Sequence, residues 1–247
     1  TCAELVSYAI GCMFGRYSLD KPGLILANQG ETLADYLAQV PQPRFPADDD
    51  NVIPLLDGDW FPDDITLRFR QFLRVAFGEA HYEDNLAFIE QALNIKNKRN
   101  YSLRDYFLSE FYADHVKRYK KRPIYWLFSP GKEKAFECLV YLHRYNEATL
   151  PRMRTEYVTP LLGQMASRIE RLRLQQADAS TAEAKQLDKQ IDGLTKQLAE
   201  LRAFDDQLKH HADMKITLDL DDGVKVNYGK FGTLLSDVKA ITGDKGE

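Results

Sequence analysis

The sequence predicts a mainly α protein with a small β component, an α+β fold. Over most of the 247 residues, apolar side chains recur every three or four positions, which is typical of amphipathic helices. Residues 123–145 instead contain two short runs rich in aromatic and aliphatic side chains, joined by a turn with a Pro-Gly pair, and residues 161–210 carry a heptad-like leucine pattern. We therefore expect a helical bundle, a β-hairpin at about 123–145 and an antiparallel helical hairpin at about 161–210.

The first half of the chain predicts four helices and one irregular connector. Residues 3–14 are apolar on all sides, so this helix needs a packing partner that the chain itself need not supply. Residues 37–63 hold five prolines and a run of three aspartates, which predict an irregular, solvated connector. The remaining helices are expected from Asp63 or Asp64 to Gly78, over 82–95, and from Ser102 to a point before Pro123.

The hairpin at 123–145 is predicted from its aromatic and β-branched residues. Residues 124–128 form the first strand, and Pro130-Gly131 suits the two central positions of a type II turn. In the return strand, alternation places Phe136, Cys138, Val140 and Leu142 on one face and residues 137, 139, 141 and 143 on the other. A lone hairpin is only marginally stable, so this one must pack against other elements.

The last third predicts two long helices followed by a short segment. Helices over 161–176 and 182–210 are separated by a polar break, and the apolar seam between them fits either packing into the bundle or a protruding coiled-coil arm. Residues 214–231 alternate around Asp222-Gly223, which fits either a second small hairpin or an ordered tail.

Composition excludes some classes of protein. No apolar run approaches the roughly 20 residues that span a bilayer, so we predict no membrane segment. The first ten residues lack the features of a signal peptide, and the absence of an initiator methionine suggests a piece of a longer protein. Three widely spaced cysteines predict reduced thiols and a cytoplasmic location.

Charge is unevenly distributed along the chain. Residues 1–95 carry a net charge of −9, residues 96–173 a net charge of +9, and residues 174–247 a net charge of −4. A basic block between two acidic ones is a candidate surface for a polyanion. The alternative is that these cations pair with the acidic flanks.

No catalytic, cofactor-binding or metal-binding residue is predicted. The chain lacks a phosphate-binding loop with its lysine, a G-x-S-x-G motif and a C-x-x-C motif. The aspartates at 48–50, with Asp57 and Asp59, lack the spacing of a calcium loop. Cys138 and His143 fall on opposite faces of a strand, which is wrong for a nucleophile and its base.

The candidate site is the basic block itself. Phosphates are held by lysine and arginine, and base edges are contacted by side chains that reach into a groove. The predicted DNA contacts are Lys117, Arg118, Lys120, Lys121, Arg122, Tyr125, Lys132, Lys134, His143, Arg144, Arg152 and Arg154.

Four segments carry a resemblance to a known family. They are ELVSYAIGCMFGRYSLDKPGL (4–24), DNVIPLLDGDWFPDDITLRFRQFL (50–73), KRPIYWLFSPGKEKAFECLVYLHRY (121–145) and LDLDDGVKVNYGKFG (218–232). In this order they resemble the carboxy-terminal half of the PglX family, the adenine-specific DNA methyltransferases of bacterial BREX phage-defence systems. The family's catalytic half carries a Gly-rich S-adenosylmethionine loop and an Asn-Pro-Pro-Tyr motif. This chain has no such loop, and it has no Pro-Pro dipeptide.

The resemblance implies the target-recognition part of a site-specific N6-adenine methyltransferase, without its catalytic half. Implied partners are double-stranded DNA, the missing methyltransferase domain and other BREX subunits; S-adenosylmethionine is implied for the whole enzyme only. The expected division is a helix and connector to that domain (1–45), a DNA-recognition region (46–160), the helical hairpin (161–211) and a tail or small hairpin (212–247). The alternative function is a scaffold whose helical hairpin docks other defence-system subunits.

The missing motifs generate a first prediction. The chain alone should neither bind S-adenosylmethionine nor methylate DNA, because it has no residues to hold the cofactor or an adenine. Isothermal titration with the cofactor should give no binding heat, and micromolar affinity would contradict the prediction.

Overall fold

The computed structural model describes residues 1–237 and 241–243. Its fold is mainly helical with one small sheet, as the sequence predicts. Three strands pair antiparallel in the order β1-β3-β2, with bounds Val52–Leu55 (β1), Tyr125–Phe128 (β2) and Glu137–Tyr141 (β3). The helices are α1 Cys2–Phe14, α2 Leu33–Gln39, α3 Ile65–Phe77, α4 Tyr82–Leu93, α5 Leu103–Ser109, α6 Phe111–Arg118, α7 Thr149–Arg152, α8 Thr159–Ala177, α9 Thr181–Asp213 and α10 Gly223–Gly229.

The sheet lies between two hydrophobic cores. Along β3, Cys138 and Val140 belong to one core, while Leu139 and Tyr141 belong to the other. The strand alternation predicted from the sequence is therefore confirmed. Every residue of the three strands is buried, so the sheet is an internal layer with helices on both faces.

One core packs α1 to α6 against the sheet, and the other packs α7 to α10 against its opposite face. Helix α1 buries Val6, Ile10 and Phe14 completely, so the chain does supply the packing partner that its apolar sequence requires. Helix α3 begins after Asp64, whose carboxylate accepts from the Thr66 N–H at 2.9 Å, and ends at Gly78, as expected. The predicted helix from Ser102 is broken at Glu110 into α5 and α6.

The prediction of an irregular connector over 37–63 is wrong in part, because β1 lies inside it. The N–H of Val52 points to the carboxylates of Asp48 and Asp50 at 3.2 and 2.9 Å, which is away from β3. Pro54 lies two residues on and therefore faces the same outer edge, where its missing N–H removes no ladder hydrogen bond. A proline in this register is compatible with an edge strand.

Two turns also differ from expectation. The hydrogen-bonded turn after β2 closes from the Lys134 N–H to the Gly131 carbonyl at 3.2 Å, instead of centring on Pro130-Gly131. The segment after α9 forms no hairpin: Leu220–Asp222 is a single 3₁₀ turn that leads into α10. The ordered-tail alternative holds for the described part, whereas residues 238–240 and 244–247 of the predicted tail lie outside the described residues.

Helices α8 and α9 form the predicted helical pair, joined at Asp178–Ser180. A six-residue π-helix, Met153–Val158, connects α7 to α8 without interruption. Leu161, Leu201 and Leu208 are completely buried in the core beneath the sheet, so this end of the seam packs into the bundle. Toward the turn between the helices, Leu174 is 73% exposed.

The seam gives a stability prediction. Changing Leu201 to Ala should lower the free energy of unfolding by about 2–5 kcal/mol, because it removes a fully buried side chain and leaves a cavity. Leu174→Ala is the control and should stay within about 0.5 kcal/mol of the parent. Urea denaturation followed by circular dichroism measures both, and equal midpoints for the two variants would contradict the packing of this helical pair.

Candidate nucleic-acid interface

The basic block is centred on the carboxy-terminal end of α6. The main chain leaves the helix through two consecutive left-handed residues, Lys120 (φ 52°) and Lys121 (φ 63°). The Lys121 N–H closes this turn by donating to the Val116 carbonyl at 2.8 Å. Left-handed backbone costs a lysine about 1–2 kcal/mol, a cost that glycine avoids. Lysine at both positions therefore puts two cations where the backbone alone favours glycine.

A buried histidine joins this turn to the sheet. His115, on α6, accepts a hydrogen bond at its Nε2 from the Tyr125 N–H at 3.2 Å, and its ring stacks on that of Tyr125 with centroids 4.9 Å apart. Burial lowers the pKa of His115 to about 3, so its ring is neutral and can accept this bond. The end of α6 is thereby fixed to the first residue of β2.

Four cations of the basic block have no ionic partner among the described residues. These four exposed side chains are Lys117, Lys120, Lys121 and Arg122. Arg118 reaches Glu4 only at 4.0 Å. The expectation that the cations pair with acidic flanks does not describe this group.

The free cations border a cavity of about 700 Å³. Lys120, Lys121 and Arg122 line one side, and Trp126 and His143 contribute to its base. Burial lowers the pKa of His143 to about 4, so this ring is neutral at pH 7 and carries no charge for a phosphate. The remaining lining comes from Ile124 before β2, Leu142 after β3, α10 and the segment before it, and Ile241.

Two predicted DNA contacts are buried, and the structure corrects them. Tyr125 is 1% exposed and stacks between Phe14 and His115 in the core. Arg144 is 6% exposed and donates to the carbonyls of Phe14 and Asp49 at 3.2 and 3.3 Å. Neither side chain can reach a duplex from these positions, because strand and turn geometry directs both inward.

The other predicted contacts lie apart from the basic turn and have partners. Lys134 donates to the Leu108 carbonyl at 2.7 Å, and Lys132 lies 3.8 Å from Glu133 while remaining 90% exposed. Arg154 forms a two-bond pair with Asp205 on α9 at 2.8 and 3.2 Å. The last of these contacts, Arg152, pairs with Asp49 and Glu156 at 3.8 and 3.1 Å.

The sequence did not reveal a cluster of three carboxyl groups in the space between β1 and the π-helix. Asp48, Asp50 and Asp63 each offer an oxygen, and these oxygens lie within 4.8 Å of one another. The Tyr157 hydroxyl is 2.5 Å from both Asp50 and Asp63 and 3.2 Å from the Val52 carbonyl, so one proton faces three acceptors. Of the predicted solvated run 48–50, only Asp49 is exposed.

Burial and neighbouring carboxylates favour the neutral form in this cluster. Burial raises the pKa of Asp48 well above its ordinary value, and the charges of Asp50 and Asp63 raise it further, against the opposing effect of Arg144. Burial also raises the pKa of Asp63, although its bond from Tyr157 opposes the shift. The cluster therefore holds protons at a pH where the unfolded chain has lost them. Asp48 and Asp50 of the cluster accept from the Val52 N–H at the edge of the sheet. Asp57 and Asp59 are not members of the cluster.

Sequence comparison relates the chain to two longer proteins. It is 55% identical over its whole length to the adenine-specific methyltransferase BrxX of Escherichia coli O9:H4 (strain HS). Over 96% of its length it is 38% identical to the adenine-specific methyltransferase PglX of Lacticaseibacillus casei (strain Zhang). The resemblance predicted from the four segments is thus confirmed. The chain spans about a fifth of the length of these relatives, and no family model matches it.

The carboxyl cluster predicts how stability depends on pH. The folded-state pKa of Asp48 is raised, so its stabilising contribution is complete below pH 4 and is lost as pH rises toward the folded pKa. Asp48→Asn removes this titration and can still accept from the Val52 N–H. Between pH 4 and pH 7 the parent should lose more unfolding free energy than this variant, by up to about 1.4 kcal/mol per pH unit for one proton.

The neighbouring Asp49→Asn variant is the matched control, because that side chain is 84% exposed. It should follow the parent in urea titrations at each pH. If Asp48→Asn also follows the parent, Asp48 is ionised in the folded protein and Arg144 fully compensates its charge.

Proposed function

We propose that this chain supplies the DNA-binding and target-recognition part of a site-specific N6-adenine DNA methyltransferase used in BREX-type phage defence. The proposal starts from its likeness to two proteins named as adenine-specific methyltransferases. In such an enzyme a separate catalytic domain would bind S-adenosylmethionine and the flipped adenine, while this chain holds the duplex. We expect the protein to act in the cytoplasm. In the described part of the chain, no helix is both long enough and apolar enough to cross a bilayer.

The observation that carries the proposal is the set of unpaired cations at the basic turn. Basic side chains elsewhere in the predicted set have carboxylate neighbours, whereas Lys117, Lys120, Lys121 and Arg122 have none among the residues that the structure describes. Duplex DNA carries condensed counterions, and exposed unpaired cations that neutralise its phosphates release these counterions with a gain in entropy. This surface therefore has the chemistry of a phosphate contact.

Base recognition has fewer candidates than the sequence offered. Of the three arginines predicted to contact bases, Arg144 is buried, and Arg152 is held by two carboxylates. Arg122 is exposed and adjoins the cavity beside the turn. We therefore propose Arg122 as the residue that contacts a base edge, where arginine most often pairs with guanine.

The alternative scaffold function has less support from the helical pair. Its apolar seam is occupied internally, since Leu161, Leu201 and Leu208 are completely buried. A partner could use only the outer surface of α8 and α9, which is largely polar.

The basic turn gives a direct test of DNA binding. Changing Lys120 and Lys121 together to Glu should weaken binding to every duplex and reduce the slope of log affinity against log salt by about two, because each phosphate contact contributes about 0.9. Fluorescence anisotropy of a labelled duplex at several salt concentrations measures both. The fold should be unaffected, because both side chains are exposed.

The matched control is the double change of Lys185 and Lys189 to Glu. These lysines are exposed on α9, so the net charge changes equally at a site away from the turn. This control should keep the parent's salt slope. Equal loss of affinity in both variants would mean that total charge governs binding, and unchanged affinity in the Lys120/Lys121 variant would refute the proposed surface.

A further inference from the structure

An apolar groove lies between the amino-terminal end of α1, the carboxy-terminal ends of α4 and α5, and the first turn of α6. These helices pack on the face of the sheet opposite to α8 and α9. Its volume is about 620 Å³. Leu93 and Tyr106 form its buried base, while Cys2, Ala92 and Ile95 form its walls. It contains neither the basic turn nor the carboxyl cluster.

The groove continues into an exposed apolar stripe on α4. Ile95 is 85% exposed and Phe88 is 66% exposed. Phe88 and Ala92 lie four residues apart on one face of α4, and Ile95 follows just beyond the last helical residue, Leu93. Large side chains exposed together beside an apolar groove are a mark of an interaction surface.

We propose that this groove and stripe bind another part of the same longer methyltransferase polypeptide. The inference rests on the proposed function, in that the chain works as one part of such an enzyme. The matched relatives have about four-fifths of their length outside the matched segment, and a protein of their length would bring a large additional polypeptide to this surface. An apolar docking surface within a single polypeptide is stabilised by the high effective concentration of its partner.

Charge indicates the chemistry of the segment that binds there. Lys96, Glu110 and Asp114 line the groove, with Lys96 3.9 Å from Glu110, and Glu83 and Asp84 lie in the first turn of α4, so acidic side chains outnumber basic ones around this surface. The matching surface should therefore offer apolar side chains surrounded by lysine or arginine. A second copy of this chain would bring the same acidic residues together, which disfavours self-association through this surface.

Cys2 provides a reporter inside the groove. It is half-buried, whereas Cys12 and Cys138 are 1% and 0% exposed. Burial also raises the pKa of Cys12 to about 12 and that of Cys138 well above its ordinary value. A thiol reagent should therefore modify Cys2 first, because thiolate is the reactive form.

The experiment compares the rate of Cys2 alkylation by N-ethylmaleimide in two proteins. One is this chain alone, and the other is a chimaera in which this chain replaces the matching segment of the E. coli methyltransferase. Peptide mass spectrometry follows Cys2 in each. We expect alkylation to be at least tenfold slower in the chimaera. Phe88→Asp with Ile95→Asp should restore the rate in the chimaera to within about threefold of the chain alone.

Leu174→Asp is the control, because Leu174 is 73% exposed on the helical pair and should leave the protection intact. The milder Phe88→Ala with Ile95→Ala replaces the aspartate variant if circular dichroism shows misfolding. Equal alkylation rates in the chain and the chimaera would overturn the proposal. Protection of the chain alone, together with dimeric elution in size-exclusion chromatography, would also overturn it by identifying a second copy as the occupant. Fluorescence anisotropy with a labelled duplex on the same samples measures DNA binding separately. If the chimaera fails to bind DNA while Cys2 is still protected, the DNA-binding proposal is refuted and the docking surface remains supported.

Discussion

Burial of the three-stranded sheet on both faces is the constraint on which the rest of the structure depends. The sheet has two edge strands, and the N–H and carbonyl groups on their outer edges need hydrogen-bond partners because these strands are buried. Beyond β2, the tail supplies two main-chain bonds, from Ser129 N–H to the Leu234 carbonyl and from Ser236 N–H to the Leu127 carbonyl, at 2.9 and 2.8 Å. Along β1, side chains do this instead.

The β1 edge explains the acidic residues that surround it. Asp48 and Asp50 accept from the Val52 N–H, Pro54 has no N–H, and Asp64 accepts from the Leu56 N–H at 3.3 Å. The Tyr157 hydroxyl lies 3.2 Å from the Val52 carbonyl, which brings the π-helix to the same edge. Carboxylates at this edge satisfy the main chain, but their mutual repulsion and burial keep protons on the cluster. Some of the acidic residues within 1–95 therefore serve to hydrogen-bond the edge of β1.

Local pattern predicted most of the fold, because helix periodicity, capping residues and strand alternation are properties of neighbouring residues. Ser102, the predicted start of a helix, forms a reciprocal cap of α5 with Asp105, and the two faces of β3 enter different cores. The prediction failed where a distant partner decides the conformation. Pro54 was interpreted as a breaker because its edge register depends on β3, which lies more than 80 residues later. Likewise, alternation over 214–231 fits either a hairpin or an ordered tail, and contacts of that segment with the body of the protein decide for the tail in the described part.

The candidate site shows the same division between local and distant information. The run of cations after α6 was visible in the sequence, but their freedom from ion pairs depends on where every carboxylate lies. Residue type favours Tyr125 and Arg144 as DNA contacts, and only their buried positions exclude them. The basic turn also depends on the sheet, because His115 on α6 bonds to the first main-chain N–H of β2. The buried sheet thus positions the basic turn. His115, which is neutral because it is buried, bonds α6 to β2, and the left-handed turn that follows α6 places Lys120 and Lys121 on the surface of the protein.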